Sequence, residues 1–177
     1  MVMMTLRPLH TGCRTKLRLG FTLVELLVVI ACVAIAGMLV VPMAGNTESS
    51  RLRSAARQVV ADLQYAQMRA MGNGLDGCMV VFSPTEPRYH LASRTDPAQP
   101  INHPSDRQPY VTHFGQGRVS HLKGVTITGV SVGGDQKLGF TTLGALDQGT
   151  AATIDLRCGS STLRITLNPT TGDATIE

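Results

Sequence analysis

From Phe21 to Ala44 the chain runs for 24 residues with a single charge, Glu25. As a helix rising ~1.5 Å per residue, that run spans roughly 36 Å, enough to cross a hydrocarbon core of about 30 Å. A carboxylate in such a span costs up to about 2.5–3.5 kcal/mol on insertion scales, and less near the interface. A chain that keeps one there has a use for it. The cluster Arg14-Thr15-Lys16-Leu17-Arg18 precedes the run and favours a cytoplasmic N-terminus. Arg51, Arg53 and Arg57 follow it, but a folded C-terminal domain translocates largely regardless of charge. The reading places residues from about 46 onward outside the cytoplasm.

The charge tally divides at the same place. The protein has 177 residues, 16 basic and 12 acidic, with a pI near 9.1. Arg7, Arg14, Lys16 and Arg18 all lie ahead of Phe21. A cut after Gly20 would leave 12 basic residues against 12 acidic ones. The basic character then belongs to the leader and is no argument for nucleic-acid binding. Three readings of the run compete. It can be an ordinary signal anchor. It can be a cleaved secretory signal, since Ala34-Ile35-Ala36 before Gly37 fits the small-x-small rule. Against that second reading, an h-region has no use for Glu25, and the apolar run continues past Ala36.

The third reading accounts for the acid. Gly20 followed by Phe21-Thr22-Leu23-Val24-Glu25-Leu26-Leu27 resembles the class III signal of type IV prepilins and type II secretion pseudopilins. The resemblance implies cleavage after Gly20 by a membrane aspartic peptidase and N-methylation of Phe21. Glycine suits the cut because it presents no side chain to a narrow cleft. It also implies a role for Glu25: meeting the Phe21 ammonium of a neighbouring subunit. At ~4 Å and an effective dielectric of ~20, such a pair attracts by roughly 4 kcal/mol before desolvation. The alternative is a snorkelling Glu25 without a partner. Pro42 removes a backbone donor and predicts a kink, or marks the end of the span.

Leu52, Ala56, Val59, Leu63, Ala66 and Ala70 then recur at spacings of four and three, one helical stripe. Arg51, Arg57, Asp62 and Arg69 lie off that stripe, and Gly72-Asn73-Gly74 ends it. Strands are expected at 78–82, 88–91, 125–128, 137–141, 153–158 and 163–167, with a short one at 174–176. Residues 94–110 carry four prolines and read as an exposed loop. The expected fold is α+β, with a long N-terminal helix, half transmembrane and half amphipathic, packed on an antiparallel β head. The expected parts are a cleaved leader (1–20), a transmembrane helix (21–45), an amphipathic stalk (46–73) and a periplasmic β-rich head (74–177). This order resembles the GspH/FimT group more than the major pilins. Leu138-Gly139-Phe140-Thr141 and Leu163-Arg164-Ile165 followed by Asn168-Pro169-Thr170-Thr171-Gly172 carry the likeness in the head.

No residue set supports catalysis, and no cofactor or metal is called for. His90, His103, His113 and His121 are too scattered to ligate a metal. Cys78 and Cys158 form a candidate disulfide on the exported side. Bonded, they would close a loop of about 80 residues and contribute roughly 4–5 kcal/mol; the alternative is two buried free thiols. Members of the group that bind DNA resemble one another in a basic Gly-Arg-x-Arg motif near the C-terminus. The matching stretch here, Gly172-Asp173-Ala174-Thr175, has no cation, which argues against DNA. Arg157 and Arg164 flank the preceding hairpin. The resemblance implies a minor pseudopilin of a type II secretion pseudopilus, or else a FimT-type minor pilin of a type IV pilus. Its implied partners are other filament subunits, the prepilin peptidase and inner-membrane lipid. Its implied place is the bacterial inner membrane, single-pass, with the head periplasmic.

Overall fold

The computed structural model describes residues 22–40, 47–73 and 77–177. The chain divides into two compact units, Met1–Gly45 and Asn46–Glu177. In the first unit, α1 covers Leu23–Val40. Its start is capped: Thr22 Oγ1 accepts a hydrogen bond from the Glu25 backbone N–H at 3.2 Å, and the Thr22 carbonyl accepts from Leu26 N–H at 3.1 Å. Thr22 and Glu25 thus stand at the Ncap and N3 positions of a capping-box sequence.

The second unit begins with α2, Thr47–Asn73. All six residues of the expected stripe are buried, joined by Ala55. Eight strands follow: β1 (Cys78–Phe82), β2 (Arg88–Ser93), β3 (Val111–His113), β4 (Val125–Ser131), β5 (Lys137–Gly139), β6 (Ala152–Cys158), β7 (Ser161–Leu167) and β8 (Ala174–Ile176). A short 3-10 segment, Gly117–Leu122, lies between β3 and β4. The strands form two antiparallel sheets, ordered β3-β2-β1-β5 and β4-β6-β7-β8. Period-two alternation puts Ala152, Ile154, Leu156 and Cys158 of β6 on the buried face. The link between β6 and β7 is a tight turn with Gly159 at φ +58°, a conformation open to glycine without a Cβ penalty.

The buried apolar set runs from Leu52 on α2 to Leu167 on β7, and α2 lies against both β1 and β6–β7. The core therefore closes within residues 47–177, which can fold as a piece of their own. Two expectations need correction here. Residues 94–110 are not simply a surface loop. They fold back through bridges Ala92↔Pro100 and Asn102↔Pro109, the Leu91 and Ile101 backbones are hydrogen-bonded to each other, and Tyr110 is buried. Strand β3 and the 3-10 segment also have no counterpart among the expected elements. At three residues, β3 is too short to show a period.

Candidate assembly surface

Residues 22–36 are exposed on every side of α1. Leu23, Val24, Leu27, Ile30, Val33 and Ile35 each leave more than half their surface uncovered. A helix apolar all round has its stable place in lipid or among other helices, because its surface has no polar face to give to water. Glu25 is the one charge on this cylinder. It sits in the first turn, where the helix dipole and unpaired N–H groups favour an anion. The helix dipole lowers the cost of keeping a carboxylate there, a contribution the sequence reading did not weigh. Gly20, Phe21 and Pro42 lie outside the described residues. Among the described residues, no helix is long and apolar enough to cross a membrane. The 18 residues of α1 span roughly 27 Å at ~1.5 Å each, against a core of about 30 Å.

On α2 the unforeseen residue is Asp62. It lies off the expected apolar stripe, yet it is 1% exposed. Four neutral donors surround its carboxylate: Tyr89 OH at 2.7 Å, Gln58 Nε2 at 2.8 Å, Tyr110 OH at 2.9 Å and Thr112 Oγ1 at 3.1 Å. These come from α2, β2, the end of the proline-rich segment and β3, so one side chain ties the helix to three other parts of the head. Burial, and then the Asp62 charge, push the Tyr89 phenol well above its ordinary range. The Tyr110 phenol moves the same way for the same reasons. Gln67 makes a second tie, donating to the Gly144 and Thr171 carbonyls at 2.8 Å each.

Cys78 and Cys158 are both buried, and both are free thiols rather than a disulfide. The reason is their placement along α2. Cys78 lies close enough to Arg69 to feel its charge, whereas the Glu48 carboxylate lies over Gly159, next to Cys158. Between Glu48 and Arg69 the helix runs roughly 30 Å, and a disulfide needs Cα atoms within about 7 Å. Burial pushes the Cys78 thiol up to about 11, with Arg69 opposing. The neutral thiol is thus the folded form. Its contribution to stability is complete below the thiol's unfolded pKa and is lost as pH rises through about 11. Both tyrosines act in the same alkaline direction. In residues 46–177, a thiol reagent at pH 8 is expected to modify neither cysteine in the native state and both after unfolding. A mobility difference on gels with and without reductant would contradict the free thiols.

The remaining candidates resolve into structural roles. Arg164 pairs with Asp155 directly across the β6–β7 ladder, with Nε–Oδ1 at 2.7 Å. Its charge holds the Asp155 carboxyl below the ordinary range, chiefly through the hydrogen bond. Arg157 Nε donates to the Gly159 carbonyl at 2.9 Å. Arg164 is thus taken up by a carboxylate, whereas Arg157 is held only through this backbone carbonyl. His90 Nε2 lies 3.0 Å from the Pro97 carbonyl, and His103 packs on Tyr110 at 4.4 Å between ring centroids. No group of three His, Cys, Asp or Glu that could hold a metal occurs among the described residues.

An apolar helix with one acid near its start, followed by an amphipathic helix laid on antiparallel sheets, is a pilin-like architecture. Residues 15–41 match the prokaryotic N-terminal methylation motif. Over 62 residues the chain is 40% identical to type II secretion system protein H of Xanthomonas campestris pv. campestris, covering 34% of this chain and 36% of that protein. The chain thus spans about a third of the length of the curated relative it matches. Its fold is similar to that of the type IV minor pilin FimU of Pseudomonas aeruginosa, with a TM-score of 0.51 and 17% identity, over 74% of this chain and 91% of that one. These likenesses are those expected of a GspH/FimT-type pilin-like protein.

Proposed function

We propose that this protein is a minor pseudopilin, a structural subunit of a type II secretion pseudopilus that works by assembly. The observation that carries the reading is the all-round exposed apolar α1 with Glu25 in its first turn, within residues that match the methylation motif. The 40% identity to a type II secretion protein H supports the secretion assignment. The ion-paired Arg164 and the cation-free Gly172-Asp173-Ala174-Thr175 weigh against DNA as a partner. The FimT-type reading, a minor pilin of a type IV pilus, has in its favour the fold likeness to FimU.

In this reading, residues 1–20 are the leader, 21–45 the inner-membrane helix, 46–73 the stalk and 74–177 the periplasmic head. The prepilin peptidase cuts between Gly20 and Phe21 and the new Phe21 amine is methylated. Glu25 then meets a Phe21 ammonium on a neighbouring subunit, and Pro42 lets the helix bend or loosen between membrane and stalk. Sequencing of the mature N-terminus is expected to begin at N-methylated Phe21; a start at Gly37 would sink the proposal. Deletion of the gene separates the two filament systems. Loss of protein secretion with pili and DNA uptake intact supports the pseudopilus, and the reverse outcome supports the pilus.

A further inference from the structure

Arg51, Arg53 and Arg57, on the first three turns of α2, are all exposed, and none of them takes part in an ion pair among the described residues. Arg53 and Arg57 stand four residues apart and so share one face. Ser50 and Ser54 lie on that face too, with Ser54 Oγ donating to the Ser50 carbonyl at 2.9 Å. Beside the two arginines runs an open groove of about 600 Å³, with Leu52, Leu163 and Ile176 among its apolar lining. A second hollow of about 540 Å³ is lined by Arg53, Arg57 and three serines. The one acid along the groove is Glu177, whose charge is shared with Arg164. The first-turn acid of the helix, Glu48, is turned to Gly159. The local balance is cationic over an apolar floor.

We propose that Arg53 and Arg57 form a site for the phosphate of an anionic phospholipid headgroup, with the glycerol and upper acyl carbons against Leu163 and Ile176. This rests on the membrane anchorage proposed above. Helix α1 ends at Val40 and α2 begins at Thr47. In sequence, Arg53 and Arg57 follow Val40 by only 13 and 17 residues. A guanidinium binds phosphate through two parallel N–H groups, and two such forks a single turn apart fit one phosphate. The apolar floor suits hydrocarbon attached to that phosphate. A nucleic-acid backbone instead asks for cations spread along repeated phosphates. The site would hold an unassembled subunit's head on the membrane surface and release it as the subunit enters a filament.

Co-sedimentation of residues 46–177 with vesicles tests this. Binding is expected to vesicles containing about a third phosphatidylglycerol and not to phosphatidylcholine alone, because each arginine near an anionic surface gains about fivefold. The Arg53→Glu/Arg57→Glu variant is expected to lose about 25-fold or more in partition. A control with the same charge change elsewhere, Arg107→Glu/Lys123→Glu, should stay within about twofold. Three results would overturn the proposal: no vesicle binding; equal loss in both variants; or equally tight binding of duplex DNA. Alkaline extraction of membranes carrying the full chain reads the anchor separately. A chain that stays in the membrane while its head ignores anionic vesicles refutes only the headgroup site.

Discussion

Asp62→Ala is expected to destabilise residues 46–177 by about 3–5 kcal/mol, measured by urea denaturation with a two-state fit. The carboxylate is buried and accepts from Tyr89, Tyr110, Thr112 and Gln58. Hydrogen bonds to a charged acceptor are worth about 1.5–3 kcal/mol each in context, and their losses do not add. The larger cost is what remains: three buried hydroxyls facing a void with no acceptor. Tyr89→Phe removes one donor and leaves three, so about 1–2 kcal/mol is expected. Asp62→Asn keeps the size but turns an N–H₂ toward donors, and should fall between the two. If Asp62→Ala unfolds within about 1 kcal/mol of the wild type, the network does not hold the helix to the head.

Glu25→Leu is expected to leave membrane insertion intact, or improved, while reducing incorporation into filaments by as much as three orders of magnitude. That bound follows from the roughly 4 kcal/mol attraction between a carboxylate and an ammonium at ~4 Å, with desolvation lowering it. Glu25 has two roles in the proposed assembly. Its carboxylate in the first turn of α1 lies at the positive end of the helix dipole. Its charge answers the Phe21 ammonium of a neighbour. Glutamine also serves at N3 of a capping box but carries no charge. Glu25→Gln is therefore the deciding variant. Sheared filament fractions, with N-methylation verified by mass spectrometry, should show it as deficient as Glu25→Leu. Incorporation of the Gln variant at the wild-type level would show that the Glu25 charge is not needed for assembly.

The stripe Leu52, Ala56, Val59, Leu63, Ala66 and Ala70 was legible because a period near 3.6 needs only a local window. Strand β1 came out at Cys78–Phe82 as expected, and β6 and β7 to within two residues, because alternation and tight-turn glycines are also local. The burial of Asp62 was not foreseen, for a different reason. On the helix it sits between Ala61 and Leu63, and an acid beside an apolar stripe ordinarily faces water. Only Tyr89, Tyr110 and Thr112, arriving from 27 to 50 positions away, make its burial tolerable. The same limit applied to residues 94–110, whose prolines signal turns but not the folding back that buries Tyr110. It applied to Cys78 and Cys158 too, whose types suggested a bond that their places near opposite ends of α2 forbid.

The sequence by itself determined the apolar helix with its single acid, the amphipathic helix after it and the run of short strands, since each is a repeat written into neighbouring residues. The tertiary structure alone decided which buried groups would be paired. A carboxylate was locked by four neutral donors, two thiols were kept apart and two arginines outside the ion pairs of the described residues were set beside an apolar groove. Hydrogen bonding, burial and charge pairing depend on distances between residues far apart in the chain, and those distances exist only once the head has folded.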